Sequence, residues 1–174
     1  MPMKYKTMYD PEKIELPANF SPEHPFDNGA MDVRDEKLAA RPRDPQEIRR
    51  HIAEYYAMIT HLDDAIGRIL DALQATNEYE NTIIVFSGDN GLALGQHGLM
   101  GKQNVYDHSV HVPLIFAGPG IDSNKRNEAL IYLFDIFPTL CELCQLEVPA
   151  SVQGRSIASL LNNASSEHRD RLLF

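Results

Sequence analysis

Apolar residues recur at three- and four-residue intervals from Ile48 to Leu73: Ile48, Ile52, Tyr55, Tyr56, Ile59, Leu62, Ile66, Ile69, Leu70 and Leu73. That spacing draws one apolar stripe along a helix. Asp44 suits its N-cap, Pro45 its first position and Glu47 the return partner of a capping box, and the pattern predicts a helix to about Thr76. Two short, almost wholly apolar runs follow, Thr82-Ile-Ile-Val-Phe-Ser87 and Val112-Pro-Leu-Ile-Phe-Ala117, the second stopped by Gly118-Pro119-Gly120. Continuous β-branched runs suit strands covered on both faces, as in a parallel sheet. A third strand is predicted over Ala129–Leu133, after which Asp135 is expected to cap a helix reaching about Leu143. Helix, strand, long loop, strand, strand, helix is an α/β order.

Before the helix the pattern breaks down. Residues 1–45 carry Pro2, Pro11, Pro17, Pro22, Pro25, Pro42 and Pro45. Each proline removes a donor and restricts the residue before it, so an irregular, surface-wrapping arm is predicted there. The 174 residues suit one domain, and a chain of this length buries about 70% of its unfolded surface without needing a metal or disulfide. A net charge of −9 argues against a nucleic-acid partner. It leaves an anionic substrate open, because a local cation can reverse the field at one site.

Cys141 and Cys144 share a helix face by spacing, which admits a redox pair; two small buried apolar residues are the plainer reading. His51 and His61, on or beside the helix stripe, read as packed or solvated side chains. No run is long and apolar enough to span a membrane. The opening MPMKYKTMYDPEK lacks a signal peptide's apolar core, so export of the chain as it stands is not expected.

The chemistry concentrates in FSGDNGLALGQHGLMGK, residues 86–102, where five of the ten glycines fall. The stretch leaves the carboxyl end of a predicted strand, the end at which open α/β sheets bind ligands. Asp89 and Asn90 offer the hard oxygens that Ca²⁺ or Mg²⁺ prefers, although Asp-Asn-Gly is equally a turn sequence. Lys102 can hold an anionic oxygen as a point charge. His97 reads either as a donor to a substrate oxygen or as a loop histidine in water. A phosphate loop is excluded, because Gln96 and Gln103 stand where it needs Gly and Ser or Thr. His108 and His111 have an H-x-x-H spacing, a weak metal signal.

Taken together, residues 82–120 closely resemble the signature segment of type I sulfatases in the alkaline-phosphatase-like superfamily. The stretches EYYAMITHLDDAIGRILDAL (54–73), LFDIFPTLCEL (133–143) and QGRSIASLL (153–161) agree with it. The resemblance implies an alkaline-phosphatase-like α/β fold, a mixed or parallel sheet flanked by helices, present here only in part. It divides the chain into the arm, 1–45, and a partial catalytic domain, 46–174. It makes Asp89 and Asn90 ligands of an active-site Ca²⁺, and Lys102 the contact to the sulfate ester near its leaving oxygen. His97 matches a position near the substrate pocket in some branches. His111, where relatives often carry Arg, receives no role. Implied partners are a sulfated carbohydrate or a small sulfate ester. Complete relatives are often periplasmic, secreted or lysosomal, which leaves this chain's compartment open.

The family's nucleophile is a formylglycine made from Cys/Ser-x-Pro-x-Arg, and none of the eleven prolines here has Cys or Ser two places before it. The upstream aspartate pair and the catalytic histidine of the resemblance are also missing. The chain is therefore expected to behave as the middle of a sulfatase, inert alone, weak for Ca²⁺ and prone to self-association through unpaired strand edges. A phosphodiesterase or phosphonate hydrolase of the same superfamily, and a non-catalytic remnant or interaction module, are the competing readings.

Overall fold

A computed structural model describes residues 2–162 and 168–174. They fall into two compact units. The first holds the chain up to Tyr79 together with Asn90–Pro113, and the second holds Glu80–Asp89 and Leu114–Phe174.

The first unit is organised on a long helix. A one-turn helix α1 (Met3–Lys6) and two 3-10 turns (Pro11–Lys13, Asp35–Leu38) precede α2 (Pro45–Ala75), and a short α3 (Asp107–Val110) follows. The predicted start of α2 holds: Asp44 Oδ1 accepts from the Gln46 and Glu47 N–H groups at 2.6 and 3.1 Å. The helix ends where Asn77 turns left-handed, at φ 60°, a conformation that Asn tolerates better than most residues.

The apolar stripe is buried mainly at its start. Ile48 and Ile52 join Ala39, Leu94 and Met100 in a core cluster against which Ile14, Leu16, Phe20, Tyr55 and Leu92 pack. The arm thus supplies part of the core despite its lack of regular structure. It also follows α2 further along, with the Tyr5 hydroxyl on Asp64 at 2.6 Å, Tyr9 and Thr60 hydroxyls 2.7 Å apart, and the His61 ring against Tyr5. Tyr56, Ile59, Leu62 and Ile69 of the stripe remain exposed.

In the second unit, strands β1 (Ile84–Ser87) and β2 (Leu114–Ala117) form a two-stranded sheet. The pair is antiparallel, registered Ile84↔Ala117 through Ser87↔Leu114, which is compatible with the mixed sheet of the resemblance and not with a purely parallel one. The connecting segment returns the chain to the end of β1 that it left, whereas a parallel neighbour needs a crossover to the opposite end. Nor are both faces covered: Phe86 and Ile115, opposite each other in the register, are both exposed.

The third predicted strand does not form. Asn127 Oδ1 accepts from Ala129 N–H at 2.8 Å, a local side-chain turn, and Leu133–Asp135 coils into a 3-10 turn. Helices α4 (Ile136–Leu143) and α5 (Ala158–Asn162) complete the unit. Asp135 stands at the N-cap of α4 but its side chain does not cap it. The buried carboxylate instead accepts from the N–H groups of Tyr132 and Arg155, both at 2.8 Å, and from the Arg169 guanidinium. Cys141 is buried and Cys144 exposed, so the two free thiols do not share one buried face. Among the described residues no helix is long and apolar enough to cross a membrane.

Candidate functional site

Lys102 and Asn90 come together in the first unit, where the Lys102 ammonium donates to Asn90 Oδ1 at 3.0 Å. Two glycines beside them answer to close approaches rather than to flexibility. A Cβ on Gly91 would lie 1.8 Å from the His108 carbonyl oxygen. On Gly101 it would lie 2.9 Å from Glu36 Oε1 and 2.7 Å from Gln103 Oε1. The Gly91 N–H donates to the Ser109 carbonyl at 2.9 Å and the Ala93 N–H to the Gly101 carbonyl at 3.1 Å, which folds the loop onto itself.

The loop is anchored by two charged residues of the arm that periodicity and motif did not single out. The buried Glu36 carboxylate accepts from the Met100 N–H at 3.1 Å and the Gly101 N–H at 2.7 Å. Arg43, fully buried, donates to that carboxylate and, through Nε at 3.0 Å, to the Gly98 carbonyl. One ion pair thereby grips the loop at a carbonyl and at two N–H groups just before Lys102. No sequence signal joins Glu36 to Gly101, since the link crosses 65 positions without a repeat or motif. Beside them, Arg34 and then Gln103 hold the Asp35 carboxyl below the ordinary carboxylate range, with the Lys102 charge acting in the same direction.

His97 lies elsewhere on the loop. Its backbone is left-handed, at φ 53°, and bracketed by the arm: its N–H donates to the Asn19 carbonyl at 2.8 Å, and its carbonyl accepts from His24 Nδ1 at 2.7 Å. Its ring stacks on Tyr106 with centroids 4.2 Å apart and planes at 16°, while Nε2 meets the Asn19 amide at 3.0 Å. The His108 ring stands 5.7 Å from Tyr106 and 6.1 Å from His97. Among the described residues its buried Nε2 finds no hydrogen-bond partner. Burial, followed by the neighbouring His97, pushes the His108 pKa down. A cleft of about 420 Å³ opens between these side chains.

Asp89 lies in the second unit, two residues beyond β1. The chemistry of Asp89 and Asn90 suits Ca²⁺, but two donors do not fill a shell of about six to eight oxygens. Among the described residues no group of three or more His, Cys, Asp or Glu side chains converges on a metal position, and the H-x-x-H spacing of His108 and His111 builds none. Asn90 Oδ1 faces a lysine cation instead. These residues do not constitute a Ca²⁺ site by themselves.

The sulfatase family model matches residues 4–146. This chain belongs to the sulfatase family. It is 32% identical over 164 residues to arylsulfatase K of Mus musculus, a match covering 94% of this chain and 29% of that protein. Among solved structures it resembles the phosphonate monoester hydrolase SpPMH of Silicibacter pomeroyi, with TM-score 0.79, 32% identity, and coverage of 99% of this chain and 36% of that one. It also resembles BT4656, solved in complex with its substrate D-glucosamine-2-N,6-O-disulfate, with TM-score 0.69, 30% identity, and coverage of 79% and 28%. The chain spans about a third or less of the length of these relatives. The resemblance read from residues 82–120 is therefore sound at the level of family and fold.

Proposed function

We propose that these residues form part of a sulfuric ester hydrolase, in which Lys102 contacts the sulfate and Asp89 and Asn90 contribute to a divalent-cation site completed by ligands outside this set. The observation that carries the reading is the Lys102–Asn90 contact at 3.0 Å on a loop pinned by Glu36 and Arg43. A lysine cation held in place stabilises negative charge as it develops on the leaving oxygen, and no reorganisation is needed during the reaction. Ca²⁺, when bound, would supply further positive charge to the sulfate. A sulfated carbohydrate is the substrate class favoured by analogy with the disulfated glucosamine bound by BT4656. The 174 residues contain no Cys/Ser-x-Pro-x-Arg from which a formylglycine could arise, so alone they are expected to be catalytically inert.

The test is a titration of the isotope-labelled chain with inorganic sulfate, alongside an assay with 4-nitrophenyl sulfate. Saturable shifts centred on Gly101–Gln103 that disappear in Lys102→Ala, with no hydrolysis above that variant, are expected. Sulfate binding that is indifferent to Lys102→Ala would remove the assignment. Phosphonate ester hydrolysis is the second reading, favoured by the likeness to SpPMH. Phenylphosphonate binding tenfold more tightly than sulfate would move the substrate class to phosphonates.

A further inference from the structure

Glu36 takes the Met100 and Gly101 N–H groups, and the next one, that of Lys102, donates to Oε1 of its neighbour Gln103 at 3.1 Å. A glutamine that bonds back onto the adjacent residue is a loose partner unless its other end is also fixed. Here it is fixed. Gln103 Nε2 donates to Asp35 Oδ2 at 3.4 Å, and Asp35 Oδ1 accepts from the Arg34 guanidinium at 2.8 and 2.9 Å. The Gln103 amide thus bridges a carboxylate of the arm to the backbone of the lysine.

Packing at Gly101 supports the same bridge independently of the hydrogen bonds. A Cβ there would lie 2.7 Å from Gln103 Oε1, 2.9 Å from Glu36 Oε1 and 3.4 Å from Asp35 Cβ, so three side chains close on the residue just before Lys102. Burial points the same way. Asp35 is 7% exposed, and a carboxylate is costly to bury unless its oxygens are satisfied. Arg34 and then Gln103 satisfy them and keep the charged form favoured. Adjacent residues of one 3-10 turn therefore take adjacent parts of the loop, Glu36 the two N–H groups before the lysine and Asp35 the side chain after it. Charge makes the arrangement informative. A carboxylate beside a lysine that receives an anion weakens that site by repulsion, unless it contributes something else. What it contributes here is a fixed peptide from which the Lys102 side chain sets out to Asn90 Oδ1 at 3.0 Å.

We propose that Asp35 is a positioning residue which, through the Gln103 side chain, fixes the backbone of Lys102 and with it the direction of the ammonium group. The proposal takes from the sulfatase reading only that Lys102 meets the sulfate. Positioning and simple charge have opposite consequences. If Asp35 acts only as a nearby charge, any neutral substitution removes repulsion and tightens sulfate binding. If it positions Lys102, removing the acceptor loosens the lysine and weakens binding. Asp35→Asn separates the two, because it loses the charge but keeps an amide oxygen for Gln103.

The experiment compares the labelled chain with Asp35→Ala, Asp35→Asn and Gln103→Ala, first by amide hydrogen exchange without ligand and then by titration with inorganic sulfate. Exchange at the Lys102 amide is expected to be about tenfold faster in Asp35→Ala and Gln103→Ala, with the Ile52 and Ala53 amides of α2 unchanged. Sulfate should bind about three- to tenfold more weakly to both, and within about twofold of the wild type to Asp35→Asn. The double variant should be no weaker than Gln103→Ala alone, because Asp35 acts through Gln103. Gln103 is exposed, so its variant tests the bridge even where Asp35→Ala does not fold. Unchanged Lys102 exchange in Gln103→Ala, or tighter sulfate binding by folded Asp35→Ala, overturns the proposal. Faster Lys102 exchange in Gln103→Ala, with sulfate binding that ignores Lys102→Ala, would sustain the positioning and sink the sulfatase reading. Unchanged exchange with sulfate binding that needs Lys102 would do the reverse.

Discussion

At the scale of single residues, the loop chemistry depends on partners far away in sequence. Glu36 ties two N–H groups beside Lys102 and neutralises a fully buried Arg43. Removing the charge from Glu36 strands a buried guanidinium, and breaking such a pair costs about 3–5 kcal/mol. Glu36→Gln is therefore expected to cost the first unit stability of that order, read as a lower urea midpoint, and to weaken sulfate binding at Lys102. An unchanged midpoint would show that the pair does not hold the loop. Asp89, Asn90 and Lys102 were legible as candidates because their residue types cluster within one short stretch. Glu36 and Arg43 were not, because their importance arises from where the arm folds back. His97 was legible as a candidate donor or a loop histidine, but its positive φ and the ring stacked on Tyr106 are invisible in the sequence.

Elements were read with uneven success, for a physical reason. The start of α2 depends on local chemistry, an aspartate cap followed by proline, and it appears where that chemistry puts it. Asp44→Ala should cost about 1 kcal/mol, read as a lower midpoint in denaturant and faster hydrogen exchange at the Gln46 and Glu47 amides. Equal exchange in the two proteins would count against the cap. Strand direction is not local: an apolar run of four residues looks the same in parallel and antiparallel ladders, and the path of the segment between β1 and β2 decides. At 129–133 the apolar residues are present, but an Asn127 turn and the 3-10 turn at Leu133–Asp135 take the backbone away from a ladder. Asp135 was expected as a cap of α4 and acts as a buried acceptor for its own 3-10 turn, through Tyr132, and for the distant Arg155 and Arg169.

At the scale of the whole molecule, two properties can be tested. The first is acid sensitivity of the second unit. Burial alone raises the Asp135 pKa, but the Arg169 guanidinium, then the Arg155 and Tyr132 N–H groups, more than offset this and hold it below the ordinary 3.8. A depressed carboxyl pKa stabilises the fold fully above the unfolded value, and that contribution is lost as pH falls through the folded one. The unit should thus hold its stability down to about pH 5 and lose it progressively below pH 4. Asp135→Asn should be less stable near neutrality, with the gap closing in acid. Parallel pH profiles for the two proteins would rule out this role.

The second property is association. Tyr56, Ile59, Leu62 and Ile69 on α2, and the Phe86–Ile115 pair on the sheet, present apolar side chains to water. Light scattering is expected to show a mass that rises with concentration, and Ile69→Lys should reduce it. A monomer at all accessible concentrations would contradict the expectation.

The amino-acid sequence by itself determined the family, the long capped helix, the two short strands and the loop carrying Asp89, Asn90 and Lys102. Each of these is written in residues close together in the chain, by periodicity, by capping chemistry or by a run of residue types. Tertiary structure alone decided that the strands run antiparallel, that Glu36 and Arg43 clamp the loop, and that Lys102 rests on Asn90. It also decided that His97, Tyr106 and His108 enclose a cleft. Those outcomes rest on contacts that no local pattern encodes, from the 12 positions between Asn90 and Lys102 to the 65 between Glu36 and Gly101, and they exist only once the chain has folded.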